Sequence, residues 1–289
     1  MSAKKLAFLH ALSPLHAGTG QGIGSIDLPL ARERATNLPI VPGSTVKGCL
    51  RDELSRKLAA SELLALFGPA QGEDASKYAG AIRMGDARLL LLPVRALVGT
   101  FVWVSCPFIL RRFAREAKDC GVPGDAPAVP TVAAQTCQAP ATLGLALGGA
   151  SKLVLEEFDF EIKGDSKAWA DWLAGRLFGA ASDWNAEFCA HFAIVDDDSF
   201  FFLAEFATEV TAHIAIEKDT GTVKSGALWY QEALPAESVL YLPISVDASR
   251  YEAVKADAAA MLAKVPMRTS MQVGGKASTG LGITDLILA

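Results

Sequence analysis

The sequence predicts an α+β domain. Three observations lead there. Short apolar stretches of strand character recur along the whole chain, segments of helical periodicity lie between them, and the two kinds do not alternate as regular βαβ repeats. With 289 residues, 51% of them hydrophobic, and a mean hydropathy of +0.28, the chain can bury a sizeable core and still leave apolar surface over. The expected outlet for that surplus is a permanent protein interface.

The first element is a strand in "KKLAFLHAL", followed by a long glycine-rich loop. A helix is expected to begin at Ser44, a good N-cap residue, because Val46, Leu50, Leu54 and Leu58 repeat every four positions; Gly68 and Pro69 end it. "AIRMGDARLLLLPV" and "TFVWVSC" read as strands. Arg95, Pro93, Gly99 and Pro107 interrupt the apolar run Leu89–Leu110, so buried strands fit it better than a membrane span. Residues 121–150 hold four Pro and five Gly and read as a loop-rich insertion. "KLVLEEFDFEIK" alternates through Phe158, Phe160 and Ile162 as a half-buried strand does. Ser166 opens a short helix with Trp169, Trp172, Leu173 and Leu177 on one face, closed by Gly179. From Thr208 to Gln231, alternation through Val210, Ala212, Ile214 and Ile216, a Lys-Asp-Thr-Gly turn at 218–221 and a second strand-like segment predict a long β-hairpin. Ser249-x-x-Glu252 has the spacing of a capping box, with Tyr251, Val254, Met261 and Leu262 inward and Pro266 as the stop. "MQVGGKASTGLGITDLIL" is a second glycine-rich loop running into a last strand.

The net charge of −5 hides an asymmetry. Residues 1–155 carry 17 Lys and Arg against 11 Asp and Glu, whereas residues 156–257 carry 7 against 20. Such a chain can present one face to a polyanion and another to a basic partner, or simply keep two solvated surfaces. The five cysteines follow no metal-binding spacing, and the N-terminal stretch lacks the apolar run of a secretory signal. A cytoplasmic protein with reduced thiols is the expectation.

Known phosphate loops do not fit. Gly18-x-Gly20-x-Gly22-x-Gly24 misplaces the third glycine of a dinucleotide fingerprint, and Pro29 stands where a helix would run. "GGKASTG" places Ala277 after Gly275-Lys276, where a P-loop needs Ser or Thr. What glycine does supply is close backbone approach and rows of N–H groups for anions, so Gly18, Gly20, Gly274, Gly275 and Lys276 are candidates for gripping a polyanion. The helix start at Ser44, with Lys47 and Arg51 four apart on one face, suits phosphate in the same way. The histidines give no ligand spacing, although His16 borders the first loop. Asp196-Asp197-Asp198 reads as a solvated turn, since consecutive carboxylates point apart.

"LHAGTGQGIGSIDLPLARERATNLPIVPGSTVKGCLRDEL", with "IVDDDSFFFLAEFATEVTAHIAIEKDTGTVKSGALWYQEALPAESVLYLP" and "MQVGGKASTGLGI", resembles the RAMP-superfamily backbone subunit of type III-B CRISPR effector complexes. The resemblance implies a single domain, 1–289, with an RRM-like, ferredoxin-like palm, an insertion at about 111–150 and a projecting thumb hairpin at about 208–231. It implies copies stacked in a helical filament along a CRISPR guide RNA, beside other effector subunits, with no membrane. Each copy would cut target single-stranded RNA at regular intervals with a divalent metal, Mg2+ or Mn2+. By the same resemblance Asp27 of the I-D-L-P element is the essential acidic residue and the metal's ligand, His16 the loop histidine, and Lys47 the lysine of the P-G-S-x-x-K-G element. The alternative is a catalytically inactive guide-binding subunit of a related effector, in which Asp27 is an ordinary turn residue.

Overall fold

A computed structural model of the chain describes residues 2–20, 22, 25–69, 78–179, 182–224 and 226–289. The elements run β1 (Ala3–Ala11), β2 (Ile40–Val41), α1 (Gly43–Ser55), α2 (Ala60–Phe67), β3 (Ile82–Met84), β4 (Ala87–Arg95), β5 (Phe101–Ser105) and α3 (Pro107–Asp119). Next come β6 (Thr136–Gln138), β7 (Leu145–Leu147), β8 (Ala150–Leu155), β9 (Phe158–Gly164), α4 (Lys167–Leu177), α5 (Trp184–Ala190), β10 (Phe192–Val195) and α6 (Asp197–Phe206). The chain closes with β11 (Glu209–His213), β12 (Trp229–Ala233), β13 (Val239–Val246), α7 (Ala258–Leu262), β14 (Arg268–Gln272) and β15 (Ile283–Leu288).

The fold is α+β. One 13-stranded sheet runs β14-β15-β1-β13-β4-β5-β10-β6-β9-β8-β7, with β2 beside β4 and β3 beside β13. Pairing is antiparallel except between β5 and β10 and between β6 and β9. Its centre is β15-β1-β13-β4, with Phe8 opposite Tyr241. The chain reaches β4 from β1 through α1 and α2, and β15 from β13 through α7; this is the split βαβ connectivity. Leu89–Leu92 and Val94 are buried on consecutive positions of β4, so both faces of the sheet are covered there. Phe113 of α3 sits 5.8 Å from the Phe8 ring and 5.0 Å from that of Tyr241, anchoring one helical layer on the central strands.

Several local expectations yield to tertiary contacts. The helix does not use Ser44 as its cap: it starts after Pro42, Ser44 is exposed within the first turn, and the Gly43 N–H donates to Asp86 Oδ1 at 2.8 Å. A distant carboxylate thus does what Ser44 was expected to do. Nor does one helix reach Gly68. It breaks after Ser55, and α2 restarts with the Glu62 side chain accepting from the Ala59 N–H. "KLVLEEFDFEIK" is a hairpin, with Glu156 at φ 47° in its turn; Phe160 is buried, and Phe158 is 39% exposed. The Ser249 segment forms a local turn in which Ser249 Oγ accepts from the Tyr251 N–H, and the helix begins only at Asp257, whose side chain caps Ala260. Asp196 is a buried helix cap accepting from Ser199, and Asp197 accepts from the Phe108 N–H at 2.7 Å. That triplet joins α6 to the start of α3 rather than forming a solvated turn.

Within 111–150, residues to Asp119 belong to α3, Val122, Ala126, Val129 and Val132 pack on the core, and β6 enters the large sheet. The hairpin β11–β12 pairs from Glu209↔Ala233 to His213↔Trp229, apart from the main sheet. The alternation along β11 and on towards the tip buries neither face, with Val210, Ile214, Ile216 and Val223 each about half exposed or more, whereas Gln231, Glu232 and Ala233 at the base of β12 are buried. The five cysteines are free thiols. Among the described residues no helix is long and apolar enough to cross a membrane.

Candidate nucleic-acid interface and cleavage site

The first glycine loop leaves β1 and is bound to one strand, β12. Leu15 and Leu234 exchange backbone hydrogen bonds at 2.8 and 2.9 Å, and further on the Leu28 N–H donates to the Tyr230 carbonyl at 3.0 Å. Two candidate side chains hang from the same strand. His16 Nδ1 donates to the Glu232 carbonyl at 2.6 Å, and Asp27 Oδ2 accepts from the Tyr230 N–H at 2.8 Å. Their anchors are two residues apart, about 7 Å of strand. His16 is buried and Asp27 exposed. Because a carbonyl only accepts, Nδ1 carries the proton, and Nε2 of the neutral ring is an acceptor. A Cβ at Gly18 would lie 2.7 Å from that Nε2, so glycine keeps the approach to it open.

The second glycine loop docks on the same histidine. The Gly275 N–H donates to the His16 carbonyl at 3.0 Å, and Gly274, at φ 79°, passes so close that a Cβ would run into that oxygen. The Gly274 backbone lies near the Cys49 thiol of α1, whose pKa is raised by burial. On α1, burial and then the neighbouring Arg51 hold the Lys47 ammonium below the usual lysine range. Arg51 itself donates to the Pro69 carbonyl at 2.9 Å. Asp27, Leu28, Gly226, Leu228, Trp229 and Lys276 line an open groove of about 470 Å³. His213 stacks behind Trp229 with ring centroids 5.4 Å apart.

His16, Gly18, Asp27, Gly274, Gly275 and Lys276 therefore form one connected unit, with Lys47 and Arg51 on the adjoining helix. Ser44 and Gly20 are exposed, and neither takes part in these contacts; Gly24 lies outside the described residues. Among the described residues no three His, Cys, Asp or Glu side chains converge as a metal cage.

The RAMP superfamily model matches residues 8–285. Over 286 residues, 98% of this chain and 95% of the relative, the sequence is 34% identical to the CRISPR system Cmr endoribonuclease Cmr4 of Pyrococcus furiosus. The chain belongs to the RAMP superfamily. Within it, that relative places the chain in the Cmr4 family. The crystal structure of oligomeric Cmr4 from Pyrococcus furiosus superposes with a TM-score of 0.76 at 27% identity, covering 100% of this chain and 98% of that one. A chain in the cryo-EM structure of the type III-B Cmr-beta bound to cognate target RNA shares the fold, with a TM-score of 0.72 at 17% identity over 99% of this chain and 96% of that one.

One residue of this cluster was not legible in the sequence. Glu232 is 3% exposed and accepts from the Leu30 N–H at 2.9 Å, from Thr208 Oγ1 at 3.0 Å and from Arg32. It closes the loop that carries Asp27 onto the hairpin base. The nearest signal was its place on the strand face of Tyr230, two residues on. Arg32 thus belongs to Glu232, while Glu33 pairs with Arg112 of α3 and is held down to about 2, chiefly by that hydrogen bond.

Proposed function

We propose that this chain is the backbone subunit of a type III-B CRISPR effector complex, stacking in copies along a guide RNA and cutting target RNA at regular intervals. The observation that carries the reading is the exposed Asp27 carboxylate, pinned by the Tyr230 N–H in a groove at the base of a projecting hairpin. It occurs in a chain 34% identical over nearly its whole length to a Cmr endoribonuclease. Type III-B Cmr-beta bound to target RNA, which has a chain of the same fold, supports RNA and other effector subunits as partners. The glycine loops let RNA backbone approach, and Lys47 and Arg51 face its phosphates. The hairpin, as thumb, displaces a target nucleotide beside the groove.

Cleavage is attack by the neighbouring 2′-hydroxyl on phosphorus. The O2′–P bond forms and the P–O5′ bond breaks, leaving a 2′,3′-cyclic phosphate and a 5′-hydroxyl. His16 Nε2, the free acceptor of a ring held by Glu232, takes the 2′ proton. A lone exposed carboxylate suits a hard cation such as Mg2+ or Mn2+; Asp27 would hold it, and the ion would supply positive charge at the phosphate. Asp27→Asn keeps an oxygen for the Tyr230 N–H and deletes the charge. In the reconstituted complex it is expected to bind guide and target as before and to cut labelled target at least about 10²-fold more slowly. Cleavage at the wild-type rate would leave the chain a structural guide-binding subunit.

A further inference from the structure

We infer that Lys276 is a catalytic residue of the cleavage proposed above: its ammonium contacts the reacting phosphate and balances the charge that builds there, beyond any general grip on RNA. The inference rests on that reading of the groove. Asp27 and Lys276 line the same groove yet form no ion pair, although opposite charges on free loops would close on each other. Each is held by its backbone instead. Asp27 is fixed by the Tyr230 N–H. Lys276 has φ 67° and ψ 31°, a left-handed conformation that a lysine adopts only where its surroundings impose it. Its carbonyl accepts from the Thr279 N–H at 3.0 Å, from Thr279 Oγ1 at 2.9 Å and from the Leu281 N–H at 3.4 Å. One residue earlier, the Gly275 N–H holds the His16 carbonyl, so the backbone that carries Lys276 is coupled to the backbone that carries His16.

Arg32 is engaged with Glu232, Arg88 with Glu116 and Arg112 with Glu33, and Lys47 and Arg51 of α1 are not among the residues lining the groove. Among the described residues no carboxylate pairs with Lys276, which is exposed and lines the groove. The groove of about 470 Å³ that both residues line has room for a phosphate group. As the O2′–P bond forms and the P–O5′ bond breaks, the 2′ proton goes to His16 and the departing 5′ oxygen is protonated by water. Negative charge meanwhile grows on the phosphoryl oxygens, and an ammonium beside them counts for more in that state than in the bound substrate.

The test is single-turnover cleavage of labelled target RNA by the reconstituted effector complex carrying Lys276→Met, Lys276→Arg or Asp27→Asn, with target affinity measured in parallel. Lys276→Met is expected to slow cleavage about 10²- to 10³-fold while target Kd moves less than about threefold. Lys276→Arg restores charge and is expected to recover at least about tenfold of that loss. The inference is overturned if Lys276→Met cuts within about fivefold of wild type, loses affinity as much as rate, or gains nothing from Arg. Those results with an inactive Asp27→Asn complex sink the role of Lys276 alone; an Asp27→Asn complex that cuts normally sinks the cleavage reading.

Discussion

Glu232→Gln tests whether a single buried carboxylate holds the loop that carries Asp27. Its three partners, the Leu30 N–H, Thr208 Oγ1 and the Arg32 guanidinium, all donate. A glutamine must therefore turn its NH2 group towards at least one donor. Arg32, with a side chain 16% exposed, loses its counter-charge but keeps the carbonyls of Asn37 at 2.8 Å and Ala204 at 3.1 Å. Removing one partner of a buried pair costs about 3–5 kcal/mol, and the two remaining carbonyls put this case at the lower end, about 3 kcal/mol. Urea unfolding followed by tryptophan fluorescence reads that loss, with the slope unchanged. Cleavage by the reconstituted complex should fall too, because Leu30 and Asp27 share the loosened segment. In a double-mutant cycle, Arg32→Met with Glu232→Met should be less damaging than the two single losses added, by about 1–3 kcal/mol. A Glu232→Gln protein within about 0.5 kcal/mol of wild type and fully active would show that the loop is held elsewhere.

Two further outcomes follow from the same contacts. Arg112 lowers the Glu33 pKa from its ordinary 4.5 to about 2, so the stabilisation is complete above the ordinary value and fades as pH falls towards 2. It amounts to no more than about 3 kcal/mol, and Glu33→Gln should flatten that part of the acid-unfolding curve; an identical pH profile would remove the ion pair from the account. Deleting Lys218–Gly221 at the hairpin tip removes exposed residues and should shift Tm by no more than about 2 °C while changing where target RNA is cut. An unaltered cleavage pattern would mean that this hairpin does not displace the target.

The sequence by itself determined the α+β class, because strand and helix periodicities survive any packing. It also determined most strands, the α1 face of Val46, Leu50 and Leu54, and the hairpin, whose turn and alternation are local properties. Family resemblance, carried by the two glycine loops and the I-D-L-P element, was legible for the same reason: it resides in contiguous residues. Caps and breaks were not. Asp86 instead of Ser44 meets the start of α1, and Asp257 instead of Ser249 opens α7, because an N–H donates to whichever oxygen the fold brings nearest. Only the tertiary structure decided that His16, Asp27 and Lys276 belong together. Their union depends on β12, more than 200 residues beyond the first loop, presenting the Tyr230 N–H and the Glu232 carbonyl side by side. No local pattern encodes a partner at that separation, and a buried glutamate in a strand shows its purpose only once the donors around it are in place.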